Sequence, residues 1–243
     1  ALDLFQGDRI DAICRYPLAA HIKDHLRSTF ADSSHGYIPL RAAQIINEHK
    51  ELPELYNLCE ANRDRTLKPG SPHELATYTG YKQIGKADPK DYFLPGLGQV
   101  KMRSKPGRKS LTLMAIAGHN GVPHNHNDIG SFILHRGSKL WLTDPGGPVY
   151  TRKTFGPDRY DIVFCNSRGH SVPVINGKLQ QPGAKYRGKI RVQGLNEVGL
   201  KTATVDMTRA YPAGTVDSLV RTFDLDPRQN CLTLKDSYRF GRK

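Results

Sequence analysis

Three histidines lie within the stretch Gly118-His119-Asn120-Gly121-Val122-Pro123-His124-Asn125-His126-Asn127-Asp128, and a single residue separates His124 from His126. The next six residues, 129–134, are mostly apolar and rich in strand formers. If His124 and His126 begin that strand, their imidazoles point the same way, because residues i and i+2 of a strand share a face. Two converging neutral imidazoles are a common beginning of a zinc site, although histidines at strand ends also serve as ordinary polar residues.

A β-hairpin is predicted directly downstream. The turn signal Arg136-Gly137-Ser138-Lys139 joins a strand at 132–135 to a strand at 140–143. The second strand runs into Asp144-Pro145-Gly146, and the end of an antiparallel partner strand returns to the neighbourhood of His126. Asp144 is therefore a candidate metal ligand, with a turn-forming aspartate before Pro-Gly as the alternative interpretation.

A third segment adds one more histidine. Residues 163–172, Val-Phe-Cys-Asn-Ser-Arg-Gly-His-Ser-Val, have the composition of a strand and contain His170. His126, Asp144 and His170 together would form a His/Asp/His set that leaves one coordination position open. Taken alone, His170 is equally consistent with an ordinary surface histidine.

Together, the three motifs resemble the heparinase II/III-like polysaccharide lyases. The resemblance is dense over residues 94–177 and looser on both sides. It implies an N-terminal (α/α) toroid packed against a C-terminal antiparallel β-sandwich, with a zinc ion bound in the sandwich by His126, Asp144 and His170. It also implies that His124, two residues before the first ligand, faces the substrate cleft.

The composition favours an acidic partner. The 243 residues carry a formal net charge of +13 and have a pI of about 9.7, a balance that attracts uronate polysaccharides, nucleic acids or anionic surfaces. No nucleic-acid-binding motif is present, so an acidic polysaccharide is the more economical expectation. The densest basic run, read as an exposed hairpin turn, comprises Lys101, Arg103, Lys105, Arg108 and Lys109.

Targeting signals are missing from the sequence as it stands. No apolar run approaches the ~20 residues of a membrane span, and the chain opens with Ala1 and has no secretory signal. We therefore expect an internal piece of a longer protein, periplasmic or secreted if the source is bacterial. The four scattered cysteines form no CxxC pair, which favours free thiols over a second metal site.

The chain has two regions with different sequence patterns. Residues 7–62 show helical periodicity, with Pro53 as a first-turn residue and an apolar stripe of Leu55, Leu58 and Cys59. From residue 92 onward, short strands alternate with turn signals, a pattern typical of an antiparallel sandwich. We predict a mainly β chain: a helical stub from the end of a toroid over 1–91, then a β-sandwich domain over 92–243. The strands are predicted at 99–103, 110–118, 130–135, 140–143, 187–192, 202–207, 218–224 and 231–238.

The resemblance implies a lyase that cleaves an acidic polysaccharide by β-elimination. His124 is the candidate cleft imidazole, and Tyr150 and Tyr160, on the loop after Asp144, are candidate catalytic phenols; each tyrosine is as consistent with packing at a sheet edge. Because most of the toroid is missing, the isolated chain is expected to have little activity. Candidates for pairing substrate carboxylates or sulfates are Arg152, Arg159 and Arg168.

Two other function classes remain open at this stage. A non-catalytic carbohydrate-binding or structural module with zinc as a staple fits the missing toroid. A zinc hydrolase fits HxH plus Asp, but the nearest glutamates, Glu74 and Glu197, are far from the histidines in sequence. A tyrosine hydroxyl close to His124 would favour the lyase over the module.

Overall fold

The computed structural model describes residues 5–23, 26–33, 40–61 and 90–241, and the side chains of 40, 41, 60 and 61 are outside that description. The chain forms two compact units. One comprises Ala1–Arg27 and His35–Pro89; the other comprises Ser28–Ser34 and Lys90–Lys243. The short segment Ser28–Ser34 therefore belongs to the β-rich unit, although residues of the first unit precede and follow it in sequence. The domain division at residues 91 and 92 stays a prediction.

The first unit is built from helices, as the periodicity of residues 7–62 predicts. They are α1 (Asp8–Ala20), α2 (Leu40–Lys50) and α3 (Pro53–Ala61), and a small antiparallel pair, β1 (His21–Lys23) and β2 (Leu26–Arg27), follows α1. Pro53 is the first residue of α3, where its missing N–H costs no helical hydrogen bond. Leu55, Leu58 and Cys59 are buried, so the predicted apolar stripe is the packed face. None of the described helices is long and apolar enough to cross a membrane.

The second unit contains a five-stranded antiparallel sheet. Its strands stand in the order β3-β4-β5-β7-β8. Gly137, at a φ of +59°, lies in the two-residue turn between β7 and β8, so the predicted hairpin is confirmed. The bounds are β3 (Tyr92–Leu94), β4 (Gln99–Arg103), β5 (Leu111–Ile116), β7 (Phe132–Arg136) and β8 (Lys139–Leu142).

A four-stranded antiparallel sheet forms the second layer, in the order β10-β11-β12-β13. Burial alternates residue by residue along β11 and β12, as expected for strands with one solvent-facing side. The bounds are β10 (Lys189–Gln193), β11 (Lys201–Asp206), β12 (Ser218–Asp226) and β13 (Cys231–Arg239); the short strands β6 (His119–Asn120) and β9 (Gly183–Arg187) pair separately.

The hydrophobic core lies between these two sheets. Phe132 of β7 meets Phe223 of β12 edge to face, with ring centroids 5.2 Å apart. Aliphatic side chains from both layers surround the aromatic pair, among them Val100, Leu113, Val205 and Leu225. The predicted antiparallel β-sandwich preceded by a few helices is confirmed. The four cysteines are free, and three of them are buried.

The strand predicted over 163–172 is wrong. This segment is a series of turns and a 3-10 helix, Ser167–Gly169. The Asn166 side chain accepts a hydrogen bond from the Arg168 N–H, and the Gly169 N–H donates to the Asn166 carbonyl. Such local side-chain bonds offer the backbone an alternative to a strand ladder, and here they outweigh the β propensity.

Two further expectations need correction. His124 and His126 do not begin β7; both lie in the loop between β6 and β7, and His124 has a φ of +60°. Strand alternation is therefore not what orients them. In the basic run, Lys101 is buried on β4, whereas Lys105, Arg108 and Lys109 lie exposed in the predicted turn.

A buried ion pair fixes the start of the five-stranded sheet. The Asp91 carboxylate lies 2.6 Å from Lys201 Nζ and accepts hydrogen bonds from the backbone N–H groups of Arg103 and Asn196, at 2.7 and 2.6 Å. Lys201 Nζ also donates to the Arg103 carbonyl at 2.7 Å. Removing one member of such a pair leaves the other charge buried without compensation.

Asp91→Ala is expected to lower the free energy of unfolding by about 3–5 kcal/mol. Denaturant unfolding of the chain measures this loss. Adding Lys201→Met to the same chain should recover part of it, because the second change removes the uncompensated ammonium. Replacing the exposed Glu197 by Ala is the control and should change little; an equal loss in that control would contradict the ion-pair explanation.

Candidate functional site

The loop between β6 and β7 turns one histidine inward and the other outward. The Asn127 N–H donates to the Cys165 carbonyl, and the Gly130 N–H donates to the Ile116 carbonyl. Gly130 has a φ of +91°, and a Cβ there would collide with the buried Met207 side chain, so glycine suits this bend. The result is a fully buried His126 side chain, whereas that of His124 is 54% exposed.

His126, Asp144 and His170 converge, as the sequence predicts. All three are buried, and one potential ligand atom from each lies within 4.8 Å of the others. Asp144 comes two residues after β8, and its Oδ1 accepts a hydrogen bond from the Gly146 N–H at 3.1 Å. This bond leaves Oδ2 facing His170 Nδ1, 2.8 Å away.

The hydrogen bonds of His170 identify the nitrogen that would bind a metal. His170 Nε2 lies 2.9 Å from the Phe164 carbonyl, which can only accept, so Nε2 carries a proton. In the neutral ring, Nδ1 then presents a lone pair to the Asp144 carboxylate, and two acceptors repel unless a proton or a cation lies between them. Burial alone would lower the pKa of His170. The hydrogen bond to Asp144 and the nearby carboxylates raise this pKa by more than burial lowers it, so the net shift is upward.

His126 provides the test of whether a metal fits. Its Nδ1 is buried and has no hydrogen-bond partner in the described part of the chain. Its Nε2 lies 2.9 Å from Asp32 Oδ1, and burial lowers the pKa of the ring, which keeps it neutral. One nitrogen of this ring lies within 4.8 Å of a potential ligand atom of Asp144 and of His170, and two imidazoles with a carboxylate form a donor set that suits Zn²⁺. The residues present therefore fit the metal that the resemblance implies.

A buried carboxyl beside this cluster adds to the fit. Burial raises the pKa of Asp128 to about 7, and its Oδ2 has no hydrogen-bond partner among the described residues. A cation held by His126, Asp144 and His170 would offset the cost of burying this group. Metal-site imidazoles usually donate their other nitrogen to a carbonyl or a carboxylate, as His170 and His126 do here.

A second group of possible ligands, Asp32, His126 and Cys165, also lies within the same distance limit. Two observations disfavour it as a metal centre. The Asp32 carboxylate is already paired with Arg159 Nη2 at 2.7 Å, and a guanidinium opposes an added cation. Burial raises the pKa of the Cys165 thiol, so metal binding there would carry the added cost of ionising a buried sulfur.

Asp32 is a further candidate residue of the site, and the sequence motifs do not predict it. It lies in Ser28–Ser34, and its side chain is 3% exposed. Its Oδ2 lies 3.0 Å from His124 Nδ1 and accepts a hydrogen bond from the Tyr150 hydroxyl at 3.1 Å. Burial alone would raise the pKa of Asp32, but hydrogen bonds from Arg159, His126 and His124 lower it to about 2. No motif marks this aspartate, because its partners are 92 to 127 residues away in sequence.

An exposed aromatic cluster surrounds His124. The Tyr150 hydroxyl lies 3.2 Å from His124 Nδ1. The Phe155 ring meets both the Tyr150 and the His124 rings edge-on, with centroids 4.8 and 5.9 Å away. Loss of solvation and the Asp32 carboxylate raise the pKa of Tyr150, so its phenol stays protonated at neutral pH.

Tyr160 lies elsewhere in the network. It is partly buried, and its hydroxyl donates to Asn125 Oδ1 at 2.7 Å. Burial is the main reason that its pKa is raised. Of the two tyrosines named from the sequence, only Tyr150 contacts His124 within the described residues.

The three arginines named as candidates for substrate binding differ in burial. Arg159 is buried and donates to the Asn125 and Thr154 carbonyls as well as to Asp32, so its guanidinium is used inside the protein. Arg152 and Arg168 are exposed and stay candidates for contact with an anionic substrate.

Comparisons with known proteins bear on this architecture. No family model and no curated protein matches the sequence. Among solved structures, a heparinase III aligns over 97% of this chain with a TM-score of 0.67 and 14% identity. The chain has the heparinase III fold. The heparan sulfate lyase HepC from Pedobacter heparinus aligns over 94% of the chain with a TM-score of 0.64 and 17% identity, and another heparinase III over 94% with 0.66 and 15%.

The chain spans about a third of the length of these structures, between 32% and 34%. The resemblance inferred from the sequence motifs is confirmed at the level of this polysaccharide lyase fold. The likeness to heparinase III covers the fold, a β-sandwich preceded by helices. The roles proposed for individual residues are inferred from the geometry of the site.

Proposed function

We propose that this chain is part of a polysaccharide lyase that cleaves an acidic, uronate-containing polymer by β-elimination. The observation that carries the proposal is the exposed His124 imidazole, which contacts the Tyr150 hydroxyl and is backed by the buried Asp32 carboxylate. This group stands beside the His126, Asp144 and His170 cluster in a heparinase III fold.

The chemistry of the reaction defines what the site must supply. A base takes the proton from the ring carbon next to the uronate carboxylate, and the electron pair forms a carbon–carbon double bond. The glycosidic carbon–oxygen bond breaks, and an acid protonates the leaving oxygen. A donor or cation must also stabilise the negative charge that develops on the carboxylate.

His124 and Tyr150 fit two of these roles. His124 presents an exposed imidazole that can take or return a proton. Because the pKa of Tyr150 is raised, we assign its phenol the role of hydrogen-bond donor and acid rather than that of a phenolate base. Tyr160, bonded to Asn125, is assigned to holding the loop in place.

Zinc is assigned a structural role in this proposal. Held by His126, Asp144 and His170, it would join three segments of the chain: the β6–β7 loop, the end of the β7–β8 hairpin and the 163–172 turns. Fixing the loop at His126 also fixes His124, two residues earlier. A rigid support of this kind is what positions a catalytic group accurately.

The charge of the chain and the names of the solved neighbours suggest where to begin with substrates. A net charge of +13 favours a polyanion, and one neighbour is named a heparan sulfate lyase. Heparan sulfate is therefore the first polymer to test. A non-catalytic module held together by zinc is the second candidate, favoured by the burial of the His126, Asp144 and His170 cluster, which would join three segments whether or not a substrate binds.

The full-length parent protein is expected to release products that carry an unsaturated uronate when it is incubated with heparan sulfate. Ultraviolet absorbance of the new double bond measures this directly. The isolated chain, tested in parallel, should show little or no activity. New reducing ends without the absorbance would indicate a hydrolase, and retained polymer binding without any product would support the module.

A further inference from the structure

A single carboxylate lies between the two histidines of the loop. Asp32 Oδ2 is 3.0 Å from His124 Nδ1, and Asp32 Oδ1 is 2.9 Å from His126 Nε2. The two rings therefore offer different nitrogens to the same side chain: Nδ1 in one and Nε2 in the other.

The protonation of both rings follows from this contact. The Arg159 guanidinium donates from Nη2 to Asp32 Oδ1 at 2.7 Å, so Asp32 is paired as a carboxylate and can only accept hydrogen bonds. Each ring nitrogen that faces Asp32 must then carry the proton. In neutral rings the opposite nitrogens, Nε2 of His124 and Nδ1 of His126, keep their lone pairs.

We propose that Asp32 is a positioning residue that sets the tautomers of both histidines. One carboxylate thereby prepares His126 Nδ1 for the metal and His124 Nε2 for the substrate. The second half of this statement rests on the proposed lyase function. The first half rests on the unpartnered His126 Nδ1 and its neighbours in the cluster.

Asp32 is itself held from several sides. Its backbone N–H donates to the His124 carbonyl at 3.3 Å. Arg159 Nη2 donates to its Oδ1 at 2.7 Å and also to the Asn125 carbonyl at 3.1 Å, which ties Asp32 to the loop between the two histidines. At Gly147, a Cβ would come within 3.1 Å of the Asp32 backbone, so the opposing segment also packs closely.

The shared carboxylate links the metal centre to the cleft. An asparagine at position 32 has nearly the same shape, but its amide has one donor end and one acceptor end. Its NH₂ group would face one of the histidines and force the other tautomer there. One substitution should therefore affect zinc affinity, the His124 tautomer, or both, which an isolated surface contact would not do.

The test uses the chain with nitrogen-labelled histidine, in which long-range proton–nitrogen NMR spectra distinguish the two tautomers. His124→Ala and His126→Ala assign the signals of the two rings. The wild-type chain is expected to show Nδ1–H for His124 and Nε2–H for His126. Asp32→Asn should change at least one of these, and a change at His126 should raise the zinc dissociation constant about 10- to 100-fold. The control, Ser33→Ala, removes only a neighbouring hydroxyl that bonds the Ser28 carbonyl, and should behave like wild type.

Either of two results would overturn the inference. One is a wild-type spectrum with Nε2–H on His124 or Nδ1–H on His126, which needs no variant and is decisive even if Asp32→Asn fails to fold. The other is a folded Asp32→Asn chain with unchanged tautomers and zinc affinity. Neither measurement uses lyase activity, so a parent protein without activity would remove the proposed function and leave the role of Asp32 standing.

Discussion

Replacing His124 in the full-length parent is expected to lower the rate of polymer cleavage about 10²- to 10⁴-fold, the usual effect of removing a proton-transfer group, while the zinc content stays at the wild-type level. Activity is expected to fall without loss of zinc because the His124 side chain is exposed and lies outside the His126, Asp144 and His170 cluster. Initial rates on heparan sulfate and metal analysis of the same preparations measure the two effects.

The choice of substitution matters because His124 has a φ of +60°. Asparagine tolerates this left-handed conformation better than alanine, so His124→Asn removes the imidazole with less backbone strain than His124→Ala. Both variants should lose activity to a similar extent. His119→Ala serves as the control, since the side chain of this exposed histidine accepts a hydrogen bond from the Gly121 N–H and makes no other hydrogen bond among the described residues. Full activity of His124→Asn would make His124 a bystander.

Removing a ligand from the metal cluster is expected to abolish metal binding and to lower stability together. His170→Ala should abolish zinc binding, and the chain should lose the stabilisation that the metal provides, about 4 kcal/mol when free zinc is 1,000-fold above its dissociation constant. A chelator should lower the Tm of the wild-type chain, whereas the Tm of the variant should respond to neither zinc nor chelator. Thermal unfolding with and without zinc, together with metal analysis, gives both readings.

Cys165→Ala is the matched comparison for this experiment. Cys165 is buried like His170 and belongs to the alternative group with Asp32 and His126. We expect this variant to keep one zinc per chain and to retain the response of its Tm to chelator. Loss of zinc from Cys165→Ala but not from His170→Ala would identify the Asp32, His126 and Cys165 group as the metal centre instead.

Much of the secondary structure can be predicted from local sequence patterns. The alternation along β11 and β12 and the turn signal at Gly137 depend on neighbours in sequence, so each can be recognised without the fold. The same kind of pattern failed at residues 163–172, where side-chain hydrogen bonds from Asn166 outweigh the strand propensity. The sequence also predicts that strand alternation orients His124 and His126, and this is wrong, because His124 lies in a turn with a positive φ.

The sequence by itself determined the helical start and the antiparallel strands, because period and turn chemistry are properties of short segments, and its motifs predicted the His126, Asp144 and His170 set. Only the tertiary structure brought Asp32 to His124 and His126, separated the roles of Tyr150 and Tyr160, and turned Arg159 inward. Contacts between segments 92 to 127 residues apart depend on how the layers and loops pack. A side chain whose role comes from such a contact has no local pattern that could mark it.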